Sequence, residues 1–232
     1  MDDFYLPEIL TSPRLAGDEF KHAIRVLRKN PGDQIGVFDG QGQYFLTRIG
    51  SIGKDYCDLE ILDKKVLPQK PFYTHLVIAP TKSTDRMEWM IEKLAELGID
   101  EVTFIHTQHA ERPKIKTDRL EKKAVSAMKQ SKSGYLLKVS PLIRFSDFIK
   151  SNKQESDRYL ATVQDDLPLL QQLATPGKSS TILIGPEGDF SKNEIDVASQ
   201  HGFKPVSLGK NTLRTETAGL IACHILNVVN NY

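Results

Sequence analysis

Two glycine-containing segments near the C-terminus constrain the fold of this chain more than any other feature. Residues 185–188 follow the apolar, β-branched run 181–184, and Gly209 follows the short apolar run 205–208. Each segment precedes a run in which apolar residues recur at helical spacing. In α/β proteins, turns that join a buried strand to a helix in this way hold ligands at the carboxyl edge of a parallel sheet. The two segments therefore predict an α/β fold with a ligand site.

The first segment leads into a helix start signal. Ser191 and Glu194 have the spacing of a capping box, Ile195 and Ala198 begin an apolar stripe, and Gly202 is a suitable end. By itself, this pattern indicates no more than a strand, a turn and a helix.

The second segment combines a loop rich in polar groups with an apolar helix, predicted at 218–229. The polar residues of the loop are Lys210, Asn211, Arg214, Thr215, Glu216 and Thr217. Because polar groups beside a core helix need partners, two interpretations are open. The groups either bond to one another or form a ligand site.

The residues of both segments resemble a known family. Ile-Gly-Pro-Glu-Gly at 184–188 and Leu-Arg-Thr-Glu-Thr-Ala at 213–218 closely resemble the signature of the RsmE family, the ribosomal RNA uracil-N3 methyltransferases. The resemblance extends over most of the chain, to residues 26–28, 32–33, 86–89, 92–98 and 190–195 and to Lys82.

The chain departs from the family pattern at three places. Asp189 stands where the family usually has a second glycine, and Asn211 stands where an arginine is common. Residues 129–131 lack a glutamate-glutamine pair that is often found there. These differences concern individual contacts more than the activity.

The resemblance implies a two-domain organisation. Residues 1–70 would form a PUA-like RNA-binding domain, a small β-barrel, and residues 71–232 a SPOUT methyltransferase domain with a mostly parallel sheet and a trefoil knot. The implied reaction is S-adenosylmethionine-dependent methylation of the N3 position of a uridine in 16S ribosomal RNA, in the assembled small ribosomal subunit. Family members act as homodimers, and the apolar helix at 218–229 could supply that interface or be an ordinary core helix.

The resemblance also implies site residues. The implied cofactor-binding residues are Thr162, Ile184, Gly185, Pro186, Glu187, Gly188, Ser207, Leu208, Gly209, Asn211, Leu213, Arg214, Thr217 and Ala218. The candidates for RNA binding are Arg14, Lys21, Arg25, Arg28, Lys82 and Arg86. The candidate catalytic residues are Arg214 and Glu216.

The chemistry of the target atom explains the choice of Arg214. Uracil N3 carries a proton, so its methylation requires loss of that proton, and the resulting negative charge on the ring oxygens needs a cation nearby. Arg214 is expected to supply that cation. Glu216 could orient Arg214, cap the following helix or bind the substrate, and no general base is identified.

Local patterns agree with this division of the chain. Strands are predicted at 34–38, 44–47 and 56–62, with a hairpin turn at 39–42, before a proline-rich boundary at 67–71. On a short helix, Lys21, Arg25 and Arg28 share one face, and Phe20, Ile24 and Leu27 share another. The basic face suits either an RNA backbone or plain solvent.

Beyond the boundary, strands and helices alternate as in a mostly parallel sheet. Strands are predicted at 75–79, 102–105 and 159–163, and helices begin near Thr84 and Asp118. The run 112–132 contains eight Lys or Arg residues and two acidic ones, which indicates either an RNA contact or a solvated helix face.

Composition excludes several classes of protein. With 39% hydrophobic and 26% charged residues and no signal-peptide pattern or membrane-length apolar run, the chain is expected to be a soluble cytoplasmic protein. Cys57 and Cys223 are expected to be buried and inert. His106 and His109 have no third ligand at a suitable spacing, so no metal is expected.

Two rival functions are compatible with the same motifs. A related knotted enzyme could methylate a ribose 2′-hydroxyl or a guanine, and a non-catalytic ribosome-assembly factor could keep the fold without turnover. Binding of S-adenosylmethionine and the identity of the modified nucleoside distinguish these functions.

Overall fold

The computed structural model describes residues 1–111, 114–151 and 156–232, and these form two units. The first unit consists of Met1–Gln69 together with Val125–Leu136, and the second consists of Lys70–Ala124 and Leu137–Tyr232. The first segment of the first unit ends within the proline-rich run 67–71. The return of residues 125–136 to the first unit has no counterpart in the sequence patterns.

The first unit is built on a five-stranded sheet. Its strands are β1 (Asp3–Tyr5), β2 (Arg14–Ala16), β3 (Gln34–Phe38), β4 (Gln43–Ile52) and β5 (Tyr56–Val66). They lie in the order β1-β3-β4-β5-β2, with β1 and β3 parallel and the other neighbours antiparallel. Closure of this sheet into a barrel stays a prediction.

Side chains from the edge strands and from the inner strands of this sheet form the core of the first unit. Fully buried Phe4, Leu15, Val37 and Phe45 pack there with Phe20 of helix α1 (Gly17–Lys21). The predicted helix is not regular, because α1 is followed by the π-helical turn His22–Val26. Arg28 lies beyond that turn with a left-handed φ of 55°, so the predicted basic face does not continue to it.

The second unit contains a six-stranded parallel sheet. Its strands are β6 (Thr74–Ile78), β7 (Glu101–His106), β8 (Lys138–Arg144), β9 (Asp157–Ala161), β10 (Ser180–Ile184) and β11 (Lys204–Val206). They lie in the order β11-β9-β10-β6-β7-β8, and every pairing is parallel. The predicted α/β alternation with a mostly parallel sheet is confirmed.

Helices connect these strands and cover both faces of the sheet. They are α2 (Thr84–Glu96), α3 (Thr117–Ser131), α4 (Phe145–Ser151), α5 (Leu170–Leu173), α6 (Lys192–Gln200) and α7 (Thr215–Val229), and the C-terminal half of α3 belongs to the first unit. On one face, Val77, Leu160 and Leu183 pack against residues of α4 and α6. On the other face, α7 approaches the sheet so closely that a Cβ atom at Gly219 would lie 2.9 Å from Cδ1 of Ile78. This layering points the carboxyl ends of β9, β10 and β11 toward one edge.

Several elements were missed or shifted, among them β1, β2 and α5, for which nothing was predicted. No strand was predicted at β8, and no helix was predicted at α4. The predicted strand 159–163 is shorter, because β9 ends at Ala161 and Val163 is exposed. Among the described residues, no helix is both long and apolar enough to cross a membrane.

Candidate functional site

A cavity of about 630 Å³ lies at the carboxyl edge of the parallel sheet in the second unit. Three loops that follow adjacent strands form its walls. The first loop (161–169) follows β9, the second loop (184–190) follows β10, and the third loop (207–214) follows β11. Thr215 and Ala218 at the start of α7 complete the lining. This is the position at which open α/β sheets bind ligands.

Main-chain bonds fix the third loop against the first. The Ser207 amide donates to the carbonyl of Pro168 at 2.9 Å, and the Leu170 amide donates to the carbonyl of Ser207 at 3.0 Å. Within the third loop, the Gly209 amide donates to Oγ of Ser207 at 3.2 Å. These bonds hold the third loop in place beside the cavity.

The second loop is held by its neighbours at both ends. Ser191 caps α6, and the carboxylate of Glu194 accepts hydrogen bonds from the Ser191 amide and hydroxyl, so the predicted capping box is present. The other oxygen of Glu194 accepts from the Gln108 amide at 2.8 Å. At the start of the loop, a Cβ atom at Gly185 would lie 3.1 Å from the Phe190 ring, so this turn leaves little room for a side chain.

Most of the predicted cofactor residues line the cavity. They are Thr162, Ile184, Gly185, Pro186, Glu187, Ser207, Leu208, Gly209, Asn211, Leu213 and Ala218. Gly188, Arg214 and Thr217 are outside the lining.

The two candidate catalytic residues differ in environment. Arg214 is exposed at the N-cap of α7, between Leu213 and Thr215, which both line the cavity. Glu216 is buried, and its Oε1 lies 3.6 Å from Nε of Arg86. Its Oε2 is buried with no hydrogen-bond partner among the described residues. Arg214 thus lies at the rim of the cavity, and the buried Glu216 is paired with Arg86.

The RNA-binding candidates of the first unit are largely exposed. Lys21, Arg25 and Arg28 are exposed, and Nζ of Lys21 lies 3.9 Å from the carboxylate of Asp18. Arg14 is partly engaged, because its Nε donates to Asp58 at 2.9 Å and its guanidinium lies over the ring of Tyr56.

The candidates in the second unit are paired with carboxylates. Lys82 contacts Glu111, and Arg86 lies beside Glu216. Both belong to the segment around the start of α2.

Ion pairs also account for part of the basic run 112–132. Arg119 pairs with Glu88 at 2.9 Å, and Lys123 pairs with Glu92 at 3.4 Å, which joins α3 to α2 within the second unit. Within the first unit, Lys129 pairs with Glu19 at 2.6 Å. Arg112 lies outside the described residues. The local positive charge is therefore smaller than the sequence count indicates.

Several lining residues had no signal in the sequence. Most of them belong to the first loop, with Thr212 from the third: Gln164, Asp165, Asp166, Leu167, Leu169 and Thr212. The family resemblance implied Thr162 at the start of the first loop, but the rest of that loop has no glycine, and only its place in the sheet assigns it to the site. His109, which had no assigned role, contacts the second loop, with Nδ1 3.0 Å from the carbonyls of Gly188 and Asp189.

Comparison with protein families gives matches to both units. Residues 68–227 match the family described as the RNA methyltransferase domain. Residues 15–62 match the family described as the RNA methyltransferase PUA domain. A relative from Buchnera aphidicola, named ribosomal RNA small subunit methyltransferase E, is 28% identical over 221 residues, which cover 91% of this chain and 86% of that protein.

Solved structures of similar proteins extend over the whole chain. A probable rRNA-methyltransferase from Porphyromonas gingivalis is 40% identical with a TM-score of 0.92, covering 100% of this chain and 99% of that one. A ribosomal RNA small subunit methyltransferase E from Neisseria gonorrhoeae, bound to S-adenosyl methionine, is 28% identical with a TM-score of 0.88. That match covers 99% of this chain and 98% of the other.

Proposed function

We propose that this chain, which belongs to the RNA methyltransferase family, methylates the N3 position of one uridine in the 16S RNA of the small ribosomal subunit. Its enzyme class and its methyl donor, S-adenosylmethionine, follow from the family and its relatives. The atom and the base are proposed because residues 184–188 and 213–218 resemble the uracil-N3 enzymes. The observation that carries the proposal is that these two segments meet at one cavity.

The cavity suits S-adenosylmethionine in size and chemistry. Its volume of about 630 Å³ is within the range of small-molecule sites. Ile184, Leu208 and Leu213 offer apolar surface to an adenine ring, and the turns at 185–187 and 207–209 offer backbone groups. Carboxylates at 165, 166 and 187 suit a ligand with hydroxyl groups and positive charge. When bound, this cofactor supplies an activated methyl group on a sulfonium.

The rim of the cavity suits stabilisation of the base. Removal of the N3 proton leaves negative charge on the uracil oxygens, and a cation held nearby lowers the barrier. Arg214 is exposed beside two lining residues, so its guanidinium can approach a base at the cavity mouth. Glu216 is two residues further along the chain and buried, which favours a role in substrate binding or in holding Arg86.

Recognition of RNA is assigned to the first unit as a PUA-like domain within residues 1–70. Exposed Lys21, Arg25 and Arg28 suit phosphate groups, as do Lys82 and Arg86 on the second unit. A base in a paired helix cannot enter a cavity of this kind, so the target uridine must be unpaired or flipped out. We take the assembled small subunit as the substrate and the cytoplasm as its location.

We also propose the family's trefoil knot and homodimer for this chain. The strand order supports the knot, since β9 lies between the later strands β10 and β11. The apolar helix α7 supports the dimer, because Val228 on it is 56% exposed. A crystal structure in which the chain after β11 does not pass through an earlier loop would reject the knot, and light scattering that gives the mass of one chain would reject the dimer.

The decisive experiment is a labelling assay. The purified protein is incubated with labelled S-adenosylmethionine and undermethylated small subunits, and the labelled nucleoside is identified by mass spectrometry after digestion of the RNA. Label on 3-methyluridine is expected. Label on a ribose or on guanine would overturn the specificity, and a protein that binds no S-adenosylmethionine would favour the assembly-factor alternative.

An Arg214→Ala variant tests the catalytic assignment in the same assay. Because Arg214 is exposed, the variant is expected to fold and to bind the cofactor while its methylation rate falls by about 100-fold or more. Arg144→Ala is the matched control, since Arg144 is also exposed but lies at the end of β8. Near-normal turnover by folded Arg214→Ala would reject the role of this residue.

A further inference from the structure

We propose that Asp189 is a positioning residue for the cofactor cavity, whose carboxylate ties the second loop to the first. The proposal rests on the proposed cofactor site but concerns a residue at which this chain departs from the family pattern. It explains why an aspartate occupies a position that suits glycine.

The backbone at Asp189 has a left-handed conformation, with φ of 58°. Glycine adopts this conformation without steric cost, whereas other residues adopt it at some cost and aspartate is among the better tolerated ones. The Asp189 amide donates to the carbonyl of Pro186 at 3.0 Å, which closes the turn. A side chain that persists at such a position is expected to make compensating contacts.

The carboxylate of Asp189 makes those contacts. Oδ2 accepts from the hydroxyl of Thr162 at 2.5 Å and from the Val163 amide at 3.1 Å. Oδ1 accepts from the Phe190 amide at 2.8 Å. Hydrogen bonds to an ionised acceptor are stronger than neutral ones, so this link is a strong local restraint.

The link joins two walls of the cavity. Thr162 and Val163 belong to the first loop, directly after β9. Both of them and Asp189 line the cavity. The opposite side of the turn is held by His109, whose Nδ1 lies 3.0 Å from the carbonyls of Gly188 and Asp189. Of these contacts, the carboxylate bonds are the ones that reach the first loop.

This arrangement defines what Asp189 does and does not do. Its two oxygens already accept from three donors, so it is committed to the protein and is unsuited to remove a proton from the substrate. Its effect on the ligand acts through the placement of Thr162 and Val163. Loss of the carboxylate should therefore weaken cofactor binding more than it slows the methyl transfer step.

The test compares Asp189→Gly with Asp189→Asn. Glycine keeps the left-handed backbone and removes the link, whereas asparagine keeps one oxygen acceptor and removes the charge. By calorimetric titration with S-adenosylmethionine, Asp189→Gly is expected to bind roughly 10-fold more weakly or worse, and Asp189→Asn to lie between it and the parent protein. Asp196→Asn, at an exposed aspartate on α6, is the matched charge control and should bind as the parent does.

Removal of the other partner provides a second comparison. Thr162→Val should also weaken cofactor binding. The effects of Thr162→Val and Asp189→Gly should be less than additive in the double variant, because both changes remove the same hydrogen bond between Thr162 and Asp189. A binding constant for Asp189→Gly within twofold of the parent value would overturn the proposal. Strictly additive effects would also count against it.

A second readout does not depend on the cofactor. In hydrogen exchange, the Val163 amide should exchange roughly 10-fold faster or more in Asp189→Gly, while the Phe104 amide in the sheet keeps its rate. Equal Val163 rates in variant and parent would reject the link. If the parent protein binds no S-adenosylmethionine, the proposed function fails and the cofactor role of Asp189 fails with it, while the exchange rates still decide whether the link exists.

Discussion

Glu216 is a buried acid with incomplete partners. Its side chain is 7% exposed, Oε1 lies 3.6 Å from Arg86, and Oε2 has no hydrogen-bond partner among the described residues. Burial of a carboxylate is costly unless it is paired and hydrogen-bonded. A residue of this kind beside a ligand cavity fits a role in function better than a role in stability.

The pairing with Arg86 can be measured as a coupling energy. Arg86→Ala should lower the free energy of unfolding by about 1–3 kcal/mol, because it leaves the Glu216 carboxylate buried without a cation. The loss should stay in this range because the Arg86 side chain is half-exposed and solvent screens the pair. In that background, Glu216→Gln should recover part of the loss. Urea unfolding of the two single variants and the double variant gives the cycle, and simple additivity would show that the two side chains do not interact.

At the scale of elements, α6 is both locally encoded and tied to distant parts of the chain. The capping box of Ser191 and Glu194 is readable in the sequence, because it depends on residues three positions apart. The bond from the Gln108 amide to Glu194 joins residues 86 positions apart, and no local pattern predicts it. One carboxylate thus starts the helix and holds the loop after β7.

Replacement of Glu194 measures the stabilisation that these two contacts provide together. Glu194→Ala should lower the free energy of unfolding by about 1–3 kcal/mol, since the helix start loses its cap and the Gln108 amide loses its acceptor. Glu194→Gln, which keeps a capping oxygen, should cost less than Glu194→Ala. Lys192→Ala, at an exposed position in the same turn, is the control, and thermal unfolding can rank the variants.

The elements that were predicted from sequence share strong periodicity. Helices α2 and α7 and strands β6, β7 and β10 have clear apolar patterns and buried cores, so local signals and packing agree. Strand β8 was missed because it is a half-exposed edge strand that contains Pro141. The π-helical turn His22–Val26 was missed because helical spacing does not reveal a change of pitch.

The sequence predicted two of the three loops of the site, because those two have local signals. Glycines mark the second and third loops, and a family resemblance supplied most of their residues. The first loop contains Asp165 and Asp166, which are typical of any surface turn. Apart from Thr162, which the resemblance supplied, the membership of this loop in the site follows from the position of β9 between β10 and β11, which is a property of the assembled sheet.

At the scale of the whole molecule, the amino edge of the parallel sheet carries a second polar cluster. Nε2 of buried His75 lies 2.8 Å from the hydroxyl of Thr103, and Glu101 accepts hydrogen bonds from Tyr73 and Ser140. Burial lowers the pKa of His75. Burial alone would raise the pKa of Glu101, but hydrogen bonding by Lys138 and the neighbouring polar groups outweighs it and the pKa is lowered.

These shifts predict a stability profile with two steps. In the unfolded chain, His75 gains a proton near pH 6.5, whereas the folded protein keeps this side chain neutral to lower pH. The free energy of unfolding should therefore fall as the pH drops from 7 toward 5. The contribution of Glu101 should be lost only below about pH 4.5. His75→Gln should flatten the first step in denaturant titrations at pH 7.5, 6.5 and 5.5, whereas the exposed control His224→Gln should retain it. An unchanged slope in His75→Gln would reject the assignment.

The path of the chain through the first unit has a consequence for how the protein is made. Residues 1–69 leave the ribosome before residues 125–136, which belong to the same unit. The later segment supplies the Gly134 carbonyl to Gly42, the Leu136 amide to Gly40 and the Lys129 ammonium to Glu19. Translation of the 67 residues between positions 69 and 136 takes roughly 3–13 s at typical rates. During that interval the nascent N-terminal part has no access to these partners. Folding of this unit is thus completed only after residue 136 has been synthesised.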